Sequence, residues 1–167
     1  MERLDLLPPI STARLRLRIL TLADAQAFTD MTAEVAASGL IHFLPVPFGL
    51  RDAEALISSD GDGCDCFWGV WPDNGAELIG AVGTHLRGER KIEIGYWFGG
   101  SSRGKGIGTE AVSAVVSALK QACPDRLIFA ECRPQNVASW QLLERIGFRA
   151  DGTDGAALGR RTLVLDR

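Results

Sequence analysis

The sequence of 167 residues contains no long apolar run and no excess of basic residues. Every uninterrupted apolar stretch is far shorter than the roughly 18–20 residues of a membrane-spanning helix. The opening residues include acidic side chains and two adjacent prolines, whereas a signal peptide has a basic region followed by an apolar one. The 18 Lys and Arg are outnumbered by 21 Asp and Glu, which gives a net charge of −3, and sequence-independent binding of nucleic acid depends on a basic surface. We therefore expect a soluble cytoplasmic protein without a membrane or nucleic-acid partner.

Cysteine and histidine are also scarce, with four and two residues respectively. Zinc sites usually combine paired cysteines or cysteine–histidine pairs, and only Cys64 and Cys66 lie close together in this sequence. The acidic stretch at 60–65 starts like a calcium loop but lacks the turn glycine and the closing glutamate. We expect free, mostly buried thiols and no metal. The role of Cys64 and Cys66 stays open.

The composition and the hydrophobic patterns predict a single globular domain over residues 1–167. Hydrophobic residues make up 46% and charged residues 23%, as in ordinary globular proteins, and no repeat or linker divides the chain. Period-two alternation predicts a strand at 14–19. A capping residue, Thr21, predicts the start of a helix that runs to about Met31. Prolines and a glycine then predict a loop at 41–48.

The rest of the chain alternates between turn signals and apolar segments. The predicted elements are a short helix after Arg51, a glycine-rich loop at 58–65, a hairpin with strands at 67–71 and 77–86, a strand at 91–98, a helix at 106–122, a strand at 127–132, a helix from Asn136 to Gly147, and two closing strands that begin at Phe148 and Thr162. A helix that connects two strands of one sheet favours a parallel pair, so we expect 91–98 and 127–132 to be parallel neighbours. The pattern predicts an α/β fold with a mixed (α+β) sheet of about six or seven strands and about four flanking helices.

The strongest functional signal is a glycine-rich segment at 99–111, between a predicted strand and a predicted helix. Glycines let backbone amides approach an anion closely, and the start of a helix favours negative charge. Nucleotides and other phosphate-bearing ligands are bound in this way, so the segment predicts a phosphate cradle. A connector without any ligand stays open as the alternative.

Two common nucleotide motifs fit this segment poorly. Residues 99–105 match the first part of an ATP-binding P-loop, but Gly106 stands where that loop needs a magnesium-binding Ser or Thr. The spacing of Gly106, Gly108 and Ala111 matches a dinucleotide motif. That motif follows its strand immediately, whereas seven residues separate Phe98 from Gly106 here.

Three segments, in order along the chain, resemble one family. Residues 103–108 have the form Arg-x-x-Gly-x-Gly, residues 92–97 read Ile-Glu-Ile-Gly-Tyr-Trp, and residues 136–148 run from an asparagine to a Gly-Phe pair. Together they resemble the pyrophosphate loop, the preceding strand and the following helix of the Gcn5-related N-acetyltransferases (the GNAT superfamily). Residues 12–18 resemble the RimJ/RimL branch, which acetylates the N-termini of ribosomal proteins. The likeness extends from about residue 11 to the last strand and implies the GNAT-type acyl-CoA N-acyltransferase fold.

The resemblance implies that acetyl-CoA binds where the strands at 91–98 and 127–132 diverge. It assigns the backbone of the first strand to the pantetheine arm and the amides of the glycine-rich loop to the pyrophosphate. The predicted acetyl-CoA-binding residues are Trp97, Phe98, Arg103, Gly104, Lys105, Gly106, Ile107, Gly108, Thr109 and Asn136. Asn136 is also expected to cap its helix. Such a transfer needs no metal.

Glu93 and Ser139 are the catalytic candidates. Glu93 shares a strand face with Gly95 and Trp97, and the resemblance implies a general base that takes a proton from the amine through water. The alternative for Glu93 is an exposed strand carboxylate. Many family members protonate the departing thiolate with a tyrosine seven residues after the asparagine, but that position is Leu143 here. The RimJ/RimL branch implies Ser139 for this task, and the alternative is an ordinary first-turn helix serine.

The acceptor is expected to enter over the loop at 41–48, where His42 and Phe43 are candidate substrate contacts. The resemblance implies an N-acetyltransferase in which a primary amine attacks acetyl-CoA directly in a ternary complex. A peptide N-terminus is the first candidate acceptor, while polyamines, aminoglycosides and free amino acids stay open. The alternative class is a non-catalytic acyl-CoA-binding or sensor module, which would keep the glycine-rich loop without using Glu93 and Ser139. Both a monomer and a homodimer stay open.

Overall fold

The computed structural model describes residues 3–39, 41, 43–58 and 63–166. Its strands are β1 (Ile10–Ser11), β2 (Leu15–Ile19), β3 (Asp65–Pro72), β4 (Gly80–Arg87), β5 (Lys91–Phe98), β6 (Leu127–Cys132), β7 (Phe148–Asp154) and β8 (Arg161–Leu165). Its α-helices are α1 (Ala25–Ala37), α2 (Leu50–Ile57), α3 (Ile107–Ala122) and α4 (Val137–Arg145). The strands form one mixed sheet in the order β1-β2-β3-β4-β5-β6-β8-β7.

The predicted α/β class, with about four helices around a mixed sheet, is confirmed. The sheet has eight strands, slightly more than the six or seven predicted. The additional strand, β1, is only two residues long, which is too short to show the alternation that marks a strand in a sequence.

β5 and β6 are parallel neighbours, as the sequence predicted, and α3 connects them. Residues 91–94 of β5 pair with residues 127–130 of β6. The other strand pairs of the described sheet are antiparallel. The predicted hairpin is formed by β3 and β4, although β4 begins at Gly80 and the exposed Glu77 precedes it.

The alternation of side chains along the strands divides the core into one cluster on each face of the sheet. On one face, α1 and α2 pack through Phe28 and Ala53 against Phe67 and Trp97 of the sheet. On the opposite face, α3 and α4 pack against apolar strand residues, in a cluster that includes Val112, Leu119, Leu143, Ile92 and Ile94. We call these the α1–α2 face and the α3–α4 face.

The first helix begins where the sequence predicted but ends later. Asp24 accepts a hydrogen bond from the backbone N–H of Thr21 at 2.9 Å, which satisfies a donor at the helix start. A 3₁₀ turn at Leu22–Asp24 leads into α1, which continues to Ala37, six residues past the predicted end at Met31. The extension follows from tertiary packing, because Val35 and Ala36 are buried.

The state of the cysteines and the length of the helices can be compared with what the composition predicted. All four cysteines are free thiols and three of them are buried, as predicted. Within the described ranges, no helix is both long and apolar enough to cross a membrane.

Candidate active site

The sheet splits between β5 and β6. Their ladder ends at the pair Ile94–Ala130, and the next residues of β6, Glu131 and Cys132, pair with β8. Residues 95–98 of β5 continue to pair with β4. Their outer edge therefore presents backbone N–H and C=O groups that no strand of the described sheet uses, and such groups are strong hydrogen-bonding partners for an extended ligand.

A cavity of about 830 Å³ passes through this split. Glu93 and Trp97 line it from the α1–α2 face, whereas Tyr96 and Ser139 line it from the α3–α4 face. Because successive strand residues point to opposite faces, one cavity can reach both faces only where the ladder is open. The predicted catalytic residues Glu93 and Ser139 therefore border one cavity from opposite faces of the sheet.

Four charged or titratable side chains form a network on the α1–α2 side of the cavity. Arg87 donates from Nε to Glu93 Oε2 at 2.8 Å and from Nη1 to Asp65 Oδ1 at 3.1 Å. His85 Nδ1 lies 2.9 Å from the same Asp65 oxygen. Burial lowers the pKa of His85 below its ordinary value of 6.5, although Asp65 opposes this shift. The imidazole is therefore neutral at pH 7.

Of this network, Glu93 was predicted from the sequence, whereas Asp65, His85 and Arg87 were not. Their signal lies in the pairing of three strands, since His85 stands opposite both Asp65 of β3 and Glu93 of β5. Local sequence patterns predict each of these strands separately and do not predict how the strands pair. The registers that bring the four side chains together follow only from the folded sheet.

Aromatic residues form the neighbouring wall of the cavity. Trp97 is buried, donates from Nε1 to Thr32 Oγ1 at 3.0 Å and stacks on Phe28. Phe43, a predicted substrate contact, is half exposed, and its ring centroid lies 6.0 Å from that of Trp97. Phe43 therefore lies at the wall of the cavity. His42, the other predicted contact, lies outside the described residues.

The start of α4 forms the opposite wall. The Asn136 side chain accepts a hydrogen bond from the Ser139 N–H at 3.3 Å, which confirms the predicted helix cap. Ser139 Oγ lies 2.8 Å from the Tyr96 hydroxyl, so a tyrosine does reach this helix, although from β5. Burial raises the pKa of Tyr96 above its ordinary value. Leu143 is fully buried.

The glycine-rich loop lies beside the split at the start of α3. Gly106 is the N-cap residue of α3, has a φ of +73°, and has no side chain to cap the helix. The first-turn amides of an α-helix have no partner within the helix, so those of Ile107, Gly108 and Thr109 are available to an anion. Arg103, Gly104 and Lys105 precede them as exposed residues. The loop thus has the chemistry that a pyrophosphate requires.

Gly108 has a packing role that the sequence did not indicate. A Cβ atom at this position would lie 3.1 Å from Leu142 Cδ1 and 3.3 Å from Phe98 Cε2. The glycine therefore lets the first turn of α3 approach β5 and α4 closely. This close approach keeps the loop next to the end of β5, where the predicted pantetheine contacts at Trp97 and Phe98 lie.

An ion pair from the beginning of the chain holds the loop. Glu110 in the first turn of α3 accepts hydrogen bonds from Arg14 Nε at 2.6 Å and from Thr12 Oγ1 at 2.5 Å. Arg14 also donates to the Lys105 carbonyl at 2.9 Å. The bond from Thr12 and those from Arg14 lower the pKa of Glu110. These contacts give the Thr12-Ala13-Arg14 segment a structural role. A further contact comes from α4, where Arg145 Nη1 lies 3.4 Å from Thr109 Oγ1.

The mixed sheet splits beside a glycine-rich helix start without a side-chain cap, and polar groups lie on both faces of the split. This arrangement defines the class of acyl-CoA-dependent N-acyltransferases. Residues 14–149 match the family described as the acetyltransferase (GNAT) domain. The chain belongs to this family, and the predicted resemblance is confirmed.

Named relatives agree with this assignment. The uncharacterized N-acetyltransferase YnaD of Bacillus subtilis (strain 168) is 30% identical over 146 residues, which cover 86% of this chain and 84% of the relative. The [ribosomal protein uS5]-alanine N-acetyltransferase of Escherichia coli (strain K12) is 28% identical over 158 residues, which cover 86% of this chain and 79% of the relative. The similarity thus spans most of both proteins.

Solved structures confirm the GNAT fold. RimL, a ribosomal L7/L12 α-N-protein acetyltransferase solved in complex with coenzyme A, superposes with a TM-score of 0.81 at 18% identity, over 95% of this chain and 99% of that one. A putative ribosomal-protein-serine acetyltransferase from Vibrio cholerae gives 0.79 at 21% identity, over 96% and 98%. The family match and the named relatives show that the chain is an acetyl-CoA-dependent N-acetyltransferase. We therefore set aside the alternative of a non-catalytic acyl-CoA-binding module.

Proposed function

We propose that this enzyme, acting as a single domain, transfers the acetyl group of acetyl-CoA to the α-amine of a protein or peptide N-terminus. The observation that carries the proposal is the cavity through the split sheet. It offers a CoA-binding edge on one side and a pocket with charged and aromatic walls on the other.

In this proposal acetyl-CoA lies along the open edge of β5. The backbone of Trp97 and Phe98 pairs with the pantetheine arm, because those groups have no partner on β6. The amides at 103–109 bind the pyrophosphate, and Asn136 faces the arm from α4. Arg103 and Lys105 add positive charge where the phosphates lie.

The transfer itself is an attack of a neutral amine on the thioester carbonyl. A C–N bond forms, the C–S bond breaks, and an amide of β5 beyond the split stabilises the oxyanion. Ser139 donates the proton that the departing thiolate takes up, and its hydroxyl regains a proton from solvent. Glu93 is the base on the acceptor side, and it receives the proton of the amine through an intermediary. Support comes from its place in the cavity wall, where Oε2 is bound to Arg87.

An α-amine suits this site better than a lysine side chain. The reference pKa of an α-amine is about 7.7–8.0, against about 10.4 for lysine, so an α-amine loses its proton with less help. The relative that acetylates an alanine of ribosomal protein uS5 is named for a protein acceptor. Because a ribosomal protein is a cytoplasmic substrate, we also place this enzyme in the cytoplasm, as a monomer or a homodimer.

The acceptor class is tested by a screen that measures CoA release. The panel contains peptides with a free α-amine, the same peptides with a blocked N-terminus and one lysine, and three small amines: a polyamine, an aminoglycoside and a free amino acid. We expect the highest kcat/KM for the free α-amine peptides. Turnover of small amines alone would contradict a peptide acceptor, while calorimetry with acetyl-CoA checks the CoA site separately.

The role of Glu93 is tested by Glu93→Gln. We expect kcat to fall by roughly 10²–10⁴ with the affinity for acetyl-CoA unchanged, and part of the loss to return above about pH 8, where an α-amine deprotonates itself. Glu89→Gln, in the exposed turn between β4 and β5, is the matched control. Unchanged turnover in Glu93→Gln would remove Glu93 from the reaction.

A further inference from the structure

On the acceptor side of the cavity, the carboxylate of Glu93 is paired with an arginine and lies beside a histidine. Its Oε2 accepts the hydrogen bond from Arg87, and Arg87 also binds Asp65. Directly opposite Glu93 on the next strand is His85, and the side chains of such a pair are about 5 Å apart at Cβ. His85 is therefore a close neighbour of Glu93 on the same face of the sheet.

The hydrogen bonds of His85 determine which nitrogen is available. Its Nδ1 contacts Asp65 Oδ1 at 2.9 Å. An ionised carboxylate only accepts, so Nδ1 of the neutral ring carries the hydrogen and Nε2 keeps its lone pair. Among the residues that the structure describes, Nε2 has no hydrogen-bond partner. The ring packs edge-on against Phe67, with centroids 5.4 Å apart, and this contact helps to fix its orientation.

Two glycines leave space beside Nε2. A Cβ atom on Gly83 would lie only 2.7 Å from Nε2, so the nitrogen lies over this glycine. Gly83 stands opposite Gly95 of β5, where an added Cβ would meet no atom within 4 Å. Gly95 is the first residue of β5 beyond the split. Nε2 therefore borders the open space at the point where the cavity crosses the sheet.

We propose that His85 is a further catalytic residue of this site and the intermediary between the acceptor amine and Glu93, with Asp65 as its positioning residue. The inference rests on the proposed reaction. As the C–N bond forms, the amine nitrogen loses a proton to Nε2, and the electron pair of the breaking C–S bond leaves with sulfur. The carboxylate of Asp65 stabilises the imidazolium, which passes its proton to the carboxylate of Glu93, and Glu93 releases the proton to water.

The charged groups that face the ring come from three strands. Asp65 of β3 and Glu93 of β5 favour the imidazolium, whereas Arg87 of β4 opposes it, and burial opposes it more strongly. The ring is thus neutral before the reaction and becomes charged only while it holds the proton. An acid limb in the pH profile of kcat is the expected consequence, because a protonated His85 cannot accept another proton.

The test is His85→Gln, measured between pH 6 and 9 with whichever acceptor the wild-type enzyme acetylates. We expect kcat at pH 7 to fall roughly 10²-fold or more with unchanged acetyl-CoA affinity, and the deficit to shrink above about pH 8 for an α-amine acceptor. For Asp65→Asn we expect a smaller loss and an acid limb shifted to lower pH, because the imidazolium loses a carboxylate partner.

A second variant leaves the imidazole chemically intact. Gly83→Ala places a methyl carbon 2.7 Å from the present position of Nε2, which is too close for the ring to stay where it is. We therefore expect the ring to be displaced and kcat to fall, as in His85→Gln. Acetyl-CoA calorimetry and thermal denaturation report folding, and Gly83→Ala decides the question where His85→Gln does not fold.

The role of His85 and the choice of a peptide acceptor can be disproved independently of each other. Turnover of His85→Gln within about threefold of wild type, with the same pH profile, would overturn the role of His85 and leave Glu93 and the acceptor class untouched. A wild-type enzyme that acetylates only small amines would overturn the peptide acceptor, while the same His85 variants would still be measured on those amines.

Discussion

At the scale of single residues, the tyrosine that reaches the leaving-group side comes from an unexpected element. Leu143 occupies the position at which many relatives were expected to carry the acid. Tyr96, the one tyrosine of the chain, extends from β5 to the first turn of α4 and contacts Ser139 Oγ at 2.8 Å. The proposed acid Ser139 thus has a protonated phenol as its partner.

Tyr96→Phe gives a prediction about stability at high pH. In the unfolded chain the phenol of Tyr96 ionises near pH 10. Burial raises its pKa in the folded protein, so the phenol there is still protonated at that pH. The raised pKa therefore stabilises the fold below about pH 10, and this contribution is lost as the pH rises, by up to about 1.4 kcal/mol per pH unit. We expect the free energy of unfolding, measured by urea denaturation, to fall less between pH 8 and pH 11 for Tyr96→Phe than for wild type. Equal losses would mean that Tyr96 ionises freely in the folded state.

At the scale of elements, the glycine-rich loop and the start of α3 act as one unit. Arg14, which lies between β1 and β2, holds the loop by binding Glu110 of α3 and the Lys105 carbonyl. Gly106 begins the helix with a left-handed backbone. Only glycine adopts that conformation without strain. The loop is therefore set in place by the protein itself.

Gly106→Val tests this unit. The β-branched side chain strains a φ of +73° and enters the space proposed for the pyrophosphate, so we expect acetyl-CoA affinity to fall roughly tenfold or more, a loss of about 1.4 kcal/mol. Gly88→Val is the matched control, because it has a φ of +61° and open space in the β4–β5 turn. We expect comparable thermal destabilisation in both variants and a CoA defect in Gly106→Val alone. Unchanged affinity in Gly106→Val would place the cradle elsewhere. Equally tight binding of ATP or NAD would instead favour one of the two nucleotide motifs that fit this segment poorly.

Local patterns predicted most elements, because strands and helices with one buried face show their period in the sequence. The strand at 91–98 has the predicted bounds, and the helix predicted at 106–122 differs from α3 by one residue. The end of α1 was wrong, because packing against the sheet extends the helix past Met31. The helix predicted to follow Asn136 is α4, with Asn136 as its cap.

Long-range contacts were not predictable in the same way. The Arg14–Glu110 pair spans 96 positions, and the Asp65–His85–Glu93 arrangement depends on two strand registers at once. Register follows from turns and from the buried face of the whole sheet, so single-strand patterns leave it undetermined. For the same reason, the catalytic candidate His85 became visible only in the folded sheet.

At the scale of the whole molecule, the proposed function assigns the two faces of one sheet to two substrates. The α3–α4 face carries the glycine-rich loop, Tyr96 and Ser139, and the α1–α2 face carries His85, Glu93 and the aromatic wall. The open edge of β5 joins the two faces. A second cavity, of about 1040 Å³, lies at the other end of β6, where Arg90, Lys120 and Arg126 line it. Glu89, Asp125 and Asp166 line it as well, so its charges are balanced, and it serves as the comparison region for locating the ligand.

Hydrogen exchange of the backbone amides, with and without acetyl-CoA, tests the central claim most directly, because it locates the ligand without depending on turnover. We expect slower exchange at 95–98 of β5, at 103–109 of the loop and at the start of α4, with little change at 120–128. Protection confined to 120–128, with none at 95–98 or 103–109, would contradict it.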